Sequence, residues 1–211
     1  LTLYSHNQLY GRWFTTRRPK MPKTERQLRV ALHTQTHSAL LYSASDIEVL
    51  SERAIRRHPF LSRIGPDILD PMLTVDEVIE RLSSKSFSNR ALGSLYLDQA
   101  FLAGNGNYLR SEILWAARLN PSAKPAQLDE ANLRRLARET LRISRRSYRT
   151  RGVTAPPKQA KERKALGMSY AQYRFQVFGR EGGDCYECGA PIERRTMGSR
   201  NLFLCRVCQD A

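Results

Sequence analysis

Four cysteines stand in the 211 residues as two Cys-x2-Cys pairs, Cys185/Cys188 and Cys205/Cys208, with sixteen residues between the pairs. Each pair bends the chain into a knuckle with two thiolates on one side, and Gly189 directly after Cys188 suits such a turn. The segment between them is long enough for a β-hairpin that returns the second pair to the first. Four thiolates at roughly 2.3 Å close a tetrahedral Zn²⁺ with no open position, so the implied metal is structural. Redox couples and plain disulfides are the competing readings, and neither accounts for two matched pairs with no cysteine left over. A hairpin of this size has almost no core, so the metal is expected to supply its folding energy. Its cations are Arg194, Arg195, Arg200 and Arg206. Each either presents charge to a partner or balances the anionic metal centre. Arg200, in Gly198-Ser199-Arg200-Asn201, is expected at the hairpin tip.

Charge narrows the partner. Lys+Arg 35 against Asp+Glu 20 leaves +15, and 28 of the 35 cations are Arg, whose planar fork suits phosphate oxygens. Such a balance points to a polyanion. Residues 142–164 hold nine cations against Glu162 alone, with Pro156-Pro157 inside, and read as a flexible or binding-ordered connection. No apolar run approaches the roughly 18 residues of a membrane span, and no charged-then-apolar leader opens the chain. Leu1-Thr2-Leu3-Tyr4 already reads as strand, as if the chain began inside a domain.

Residues 1 to about 44 carry a β pattern: Leu28, Val30 and Leu32 alternate with Arg29, Ala31 and His33, as in a half-buried strand, and Leu40-Leu41-Tyr42 suits a partner. Asn7 to Gly11 is a turn, residues 17–25 a solvated loop, and a boundary falls between His58-Pro59 and Asp70-Pro71. Beyond it the period becomes helical. Thr74 and Glu77 form a capping box ahead of Val75, Val78, Ile79 and Leu82. Further helices are expected over Asn89–Leu102, after Asn107, and over Asp129–Ile143; then Tyr173, Phe175 and Val177 alternate again.

Two further stretches carry chemistry. In Gly104-Asn105-Gly106-Asn107 two glycines flank a helix start, where bare amides and Asn107 could hold a phosphate; glycine is equally an ordinary helix stop. Gln8-Leu9-Tyr10 places apolar and aromatic side chains on a turn. They are either inward-facing hairpin residues or a wedge for the gap left by an extruded nucleotide.

Taken together, Ser5 to Gly11, Leu41 to Asp46, His58 to Asp67, Leu97 to Trp115, Ser147 to Gly152 and the cysteine hairpin resemble the formamidopyrimidine-DNA glycosylase and endonuclease VIII family, the endonuclease VIII branch more than its sister. The resemblance covers essentially the whole chain, and Leu97–Trp115 is similar to the family's helix–two-turn–helix. It implies that Gln8, Leu9 and Tyr10 fill the void after base flipping, and that Arg63 and Asn107 grip phosphates. Arg200 is implied to bind phosphates beside the lesion and to serve the δ-elimination. Asn201 replaces the proline expected after that arginine. The family's attacking N-terminal proline amine, the adjacent Glu and the assisting Lys match no position here, and residues 152–169 have no counterpart. The 211 residues alone are therefore expected to bind DNA without forming the covalent intermediate.

The resemblance thus implies an α+β fold: the remainder of a β-sandwich domain (1–62), a helical helix–two-turn–helix domain with a basic linker (63–165), and a four-cysteine zinc β-hairpin (166–211). The implied function is a bifunctional glycosylase/AP lyase of base-excision repair, acting on oxidised bases, pyrimidines favoured, by base flipping, Schiff base and β,δ-elimination. Its partner would be double-stranded DNA with an oxidised base or abasic site. One Zn²⁺ per chain, a monomeric state, no membrane and a bacterial, cytoplasmic, nucleoid-associated location complete the expectation. The alternatives are a non-catalytic zinc-dependent DNA-binding module and an RNA-associated zinc ribbon.

Overall fold

Alternating apolar residues make five strands in the first 50 residues: β1 (Thr2–His6), β2 (Arg12–Arg17), β3 (Leu28–His33), β4 (His37–Tyr42) and β5 (Asp46–Leu50). In this computed structural model, which describes residues 1–8 and 10–210, they belong to the first of two compact units, Leu1–Arg63. Strands β1 and β5 pair antiparallel, with Tyr4 opposite Glu48. The other sheet runs β2-β4-β3 and buries Leu40, Leu41 and Tyr42 of its central strand. Strand β3 exists but is not half-buried as its alternation suggests: Leu28 and Leu32 are 40% and 50% exposed. It pairs on one side only and slips register between Leu28 and Val30. Helix α1 (Glu52–Arg57), capped by the Ser51 hydroxyl, and a 3₁₀ turn at Leu61–Arg63 close the unit.

The second unit, Ile64–Ala211, contains α2 (Val75–Ser83), α3 (Leu92–Leu95), α4 (Asn107–Ala116), α5 (Glu130–Arg149), α6 (Pro157–Ala165), α7 (Tyr170–Tyr173), the hairpin β6 (Ile192–Met197) and β7 (Arg200–Cys205), and α8 (Arg206–Gln209). The capping box is realised: Thr74 Oγ1 accepts the Glu77 N–H at 3.2 Å while Glu77 accepts the Thr74 N–H at 2.8 Å. The core gathers Val78 and Leu82 of α2, Ile113 and Leu114 of α4, and Leu136, Ala137 and Leu141 of α5. Each such leucine contributes about 2 kcal/mol. No helix among the described residues is long and apolar enough to cross a membrane.

Three expectations fail for identifiable reasons. The helix over Asn89–Leu102 shrinks to the four residues of α3, because Asp98 turns the chain by accepting the Ala100 N–H and Leu97, Asp98 and Phe101 make i→i−3 bonds. The run 142–164 is not a flexible connection: α5 continues to Arg149, and Pro157 opens α6 at its first position, where no amide is lost. Several of its arginines point at backbone carbonyls, Arg145 at Leu73 and Arg146 at Thr154. Nor is there a strand at Phe175–Val177. Successive strand amides face opposite ways, whereas those of Gln176, Val177 and Phe178 converge on one carboxylate.

That carboxylate is Glu112, 1% exposed in the middle of α4. It accepts the Gln176, Val177 and Phe178 amides at 2.9, 2.8 and 3.0 Å and the Thr154 hydroxyl at 2.6 Å. The segment joining α7 to the cysteines is thereby wrapped around a single acceptor. A second clamp lies beyond it, where the Tyr186 ring sits between the Arg163 and Arg180 guanidinium groups at 3.5 and 3.4 Å. Glu112→Ala would orphan three buried amides, so it should cost about 3–5 kcal/mol in urea unfolding at constant metal.

Candidate nucleic-acid interface and metal centre

The two Cys-x2-Cys pairs do meet. All four Sγ atoms lie within 4.8 Å of one another, with Cys185–Cys208 at 3.8 Å and Cys188–Cys205 at 3.3 Å. Ligands on roughly 2.3 Å bonds around a tetrahedral ion stand about 3.8 Å apart, so the spacing fits a metal. Chemistry argues the same way. Burial, and then the neighbouring thiols, push the Cys208 thiol up to about 12. Four thiolates crowded this closely repel one another and persist together only around a cation.

The hairpin is not the coreless finger expected from its length. Strand β7 buries both faces: Leu202 and Leu204 join the helical core, while Phe203 and Cys205 pack with Trp115, Val177, Cys185 and Ile192 around the thiols. A metal held by the four thiols would therefore secure one edge of an element that the helices already hold.

At the other end of the hairpin, Gly198 and Ser199 both take positive φ, 61° and 59°, which makes the two-residue turn whose twist matches paired strands. Arg200 follows it, exposed and opposite Met197. Directly beneath lies Arg110, fully buried. Its Nη1 donates to the Gly93 and Met197 carbonyls at 2.7 and 2.8 Å. Its Nη2 donates to Asn107 Oδ1 at 2.6 Å and to the Arg200 and Asn201 carbonyls at 3.2 Å each. Desolvation, and then the charge of Arg200, pull Arg110 down to about 10, which leaves it charged at neutral pH.

Helix α4 follows Gly106, its N-cap, with no side-chain cap, so among the described residues its first amides have no local acceptor. The preceding turn is rigid: Gln99 accepts the Gly104 N–H at 3.0 Å and donates to the Asn105 carbonyl at 2.9 Å, and Asn105 Nδ2 reaches the Tyr96 carbonyl at 2.8 Å. The Asn107 amide group is engaged, donating to the Asn201 carbonyl at 2.8 Å. Asn107 and Arg200, 93 positions apart, are thus brought to one place. A backbone carbonyl at position 201 is all this contact needs, so asparagine in place of proline leaves it intact.

Charge pairing separates the four hairpin cations. Arg194 meets Glu181 at 3.0 Å, while Arg195 and Arg206 lie 3.0 and 4.0 Å from Glu193. Among the described residues Arg200 makes no ion pair.

In the first unit, Gln8 and Tyr10 occupy the β1–β2 turn, closed by the Gly11 N–H on the Asn7 carbonyl at 2.7 Å. Gln8 holds a φ of 47°, unusual for a residue with a side chain, and Tyr10 is 67% exposed. Tyr10 is therefore not an inward-facing hairpin residue. Arg26 donates to its carbonyl from the following loop. Leu9 lies outside the described residues. Arg63 ends the 3₁₀ turn, exposed, with Nε on the Pro59 carbonyl at 2.7 Å.

Sequence reasoning missed Arg110 and Glu112, although the signal was present. Both lie among Leu109, Ile113 and Leu114, and a charged residue inside an apolar helix is buried only when satisfied.

Comparison with known proteins agrees. A family described as the formamidopyrimidine-DNA glycosylase H2TH domain matches residues 64–156. The Endonuclease 8 proteins of Enterobacter sp. (strain 638) and Escherichia coli (strain K12 / DH10B) are each 51% identical over 209 residues, covering 99% of this chain and 76% of the relative. Among solved structures, MutM in complex with DNA containing carbocyclic 8-oxo-G matches with a TM-score of 0.75 at 21% identity, over 99% of this chain and 74% of that one. Lactococcus lactis Fpg with abasic-site DNA matches with 0.74 at 22%, over 99% and 75%.

Because the hairpin is held at both ends, Cys205→Ser should release the metal and free the knuckles while the Arg200 tip stays docked on Arg110. In a Trp13→Phe background, Trp115 fluorescence should shift to the red on metal loss, and chelating the parent chain should give the same shift.

Proposed function

The chain belongs to the formamidopyrimidine-DNA glycosylase and endonuclease VIII family of DNA repair glycosylases, and on that premise we propose that it grips damaged duplex DNA for base excision, with oxidised pyrimidines favoured over purines. The observation that carries this reading is the junction of α4 with the hairpin tip. Arg110 and Asn107 fix Arg200, the one hairpin cation without an ion pair among the described residues, beside an uncapped helix start. Both are phosphate-binding features, and together they form an anion site with a charged arm and a backbone floor. Arg200 serves as the arm, which suits it to hold the phosphate leaving in δ-elimination. Arg63 grips a further phosphate. Gln8, Leu9 and Tyr10 act as the wedge that fills the stack once a base is extruded.

Zn²⁺ is the ion the four thiolates fit. Bound there, it would supply structure and no step of the reaction, since the four cysteines would fill a tetrahedral shell. No residue of the 211 is assigned the attacking amine, the adjacent acid or the assisting lysine. Gripping the strand and supporting the opened stack are what these residues contribute. With the DNA partner go a proposed location at the bacterial nucleoid and a proposed monomeric state.

Two measurements test this. Arg200→Ala should weaken binding to a duplex with an abasic site and reduce the slope of log K against log salt by about one. An unchanged slope would assign Arg200 to charge balance alone. Borohydride trapping on a duplex with an oxidised pyrimidine should give no adduct with the 211 residues. Joining them to the N-terminal segment of an endonuclease 8 relative should produce one. An adduct-free joined chain would leave the non-catalytic DNA-binding reading.

A further inference from the structure

Among the described residues His58 is the one buried histidine. Its ring has work on both nitrogens. Nδ1 accepts the Phe60 and Leu61 amides at 3.2 and 3.3 Å, so the ring proton belongs on Nε2, which donates to Glu48 of β5 at 3.2 Å. Tyr4 of β1 packs on the ring with centroids 4.5 Å apart. The ring therefore caps the turn Leu61–Arg63 and bolts it to both strands of the β1–β5 pair. Serine or aspartate would satisfy the same amides, as Ser51 does at α1, but neither reaches across to a strand.

The capped turn ends in Arg63. Its Nε is tied back to the Pro59 carbonyl at 2.7 Å, and the Ser62 N–H to the His58 carbonyl at 3.0 Å. With Nε held, the two Nη groups are the donors Arg63 offers outward, and among the described residues they meet no carboxylate. A guanidinium fixed at its base and open at its fork is set for a phosphate, and the accuracy of its placement comes from the ring behind it.

We propose that His58, anchored by Glu48, is a positioning residue that aims Arg63 at a DNA phosphate. This rests on the reading of Arg63 given above. It makes Glu48-His58 a relay from the sheet to the contact, with no contact of its own to DNA.

A double-mutant cycle on the whole chain tests it, reading the salt slope of binding to a duplex with an abasic site. Arg63→Ala should lower the slope by about one. His58→Leu should lower it equally, and the double variant no further. His58→Asn, whose side-chain oxygen can accept the same two amides, should restore most of it. A native slope in His58→Leu, or an additive loss in the double variant, overturns the proposal while the phosphate role of Arg63 stands. A native slope in Arg63→Ala removes that role, and this inference with it. Should His58→Leu fail to fold, Glu48→Ala, at an exposed position, carries the same test: part of the slope is lost when Arg63 is present and none when it is absent.

Discussion

Helix α4 carries a buried cation and a buried anion two residues apart, Arg110 and Glu112, and the second unit is organised around satisfying both. Burying an isolated charge costs several kcal/mol, so each must be surrounded by fixed dipoles. Arg110 takes four backbone carbonyls from α3 and the hairpin tip, and Glu112 takes three amides from the segment before the cysteines. Neither uses the other. Two loops thereby acquire one geometry each, set by the directions of hydrogen bonds as well as by the packing of Phe175 and Val177.

The same logic revises the meaning of the +15 charge. Part of the arginine excess is turned onto the chain's own carbonyls: Arg81 holds those of Ala100 and Phe101, Arg163 that of Phe175, and Arg135 that of Ala117. A planar fork that binds phosphate oxygens binds peptide oxygens equally well. Net charge points to a polyanion, but which cations meet it is decided by which remain unsatisfied. By that criterion Arg200 stands apart from Arg194, Arg195 and Arg206.

What was legible in the sequence was whatever short-range chemistry determines. The Thr74–Glu77 box, the break at Gly104–Asn107, the meeting of the four thiols and the tip position of Arg200 all depend on residues close in sequence. The failures have two sources, partners distant in the chain and local competition that periodicity does not register. Glu112 draws amides 64 to 66 positions away, and no local pattern says that Phe175-Gln176-Val177 curls around it. The apolar residues of 89–102 have helical spacing, yet Asp98 competes for a nearby amide and the chain turns. Leu28 and Leu32 alternate correctly for a buried face, but alternation does not reveal that β3 is an edge strand with little packed over it.

The two-sided burial of β7 has a consequence for how this interface can change. Leu202 and Leu204 face the helices while Phe203 and Cys205 face the thiols, and the turn of Gly198 and Ser199 fixes which is which. Inserting a single residue at that turn would not lengthen the reach of Arg200. It would slip the strand by one, exchange the two faces, and pull a thiolate out of the tetrahedron. Variation at the tip is therefore confined to side-chain replacement, and any tuning of how far the Arg200 arm extends has to arise elsewhere in the chain.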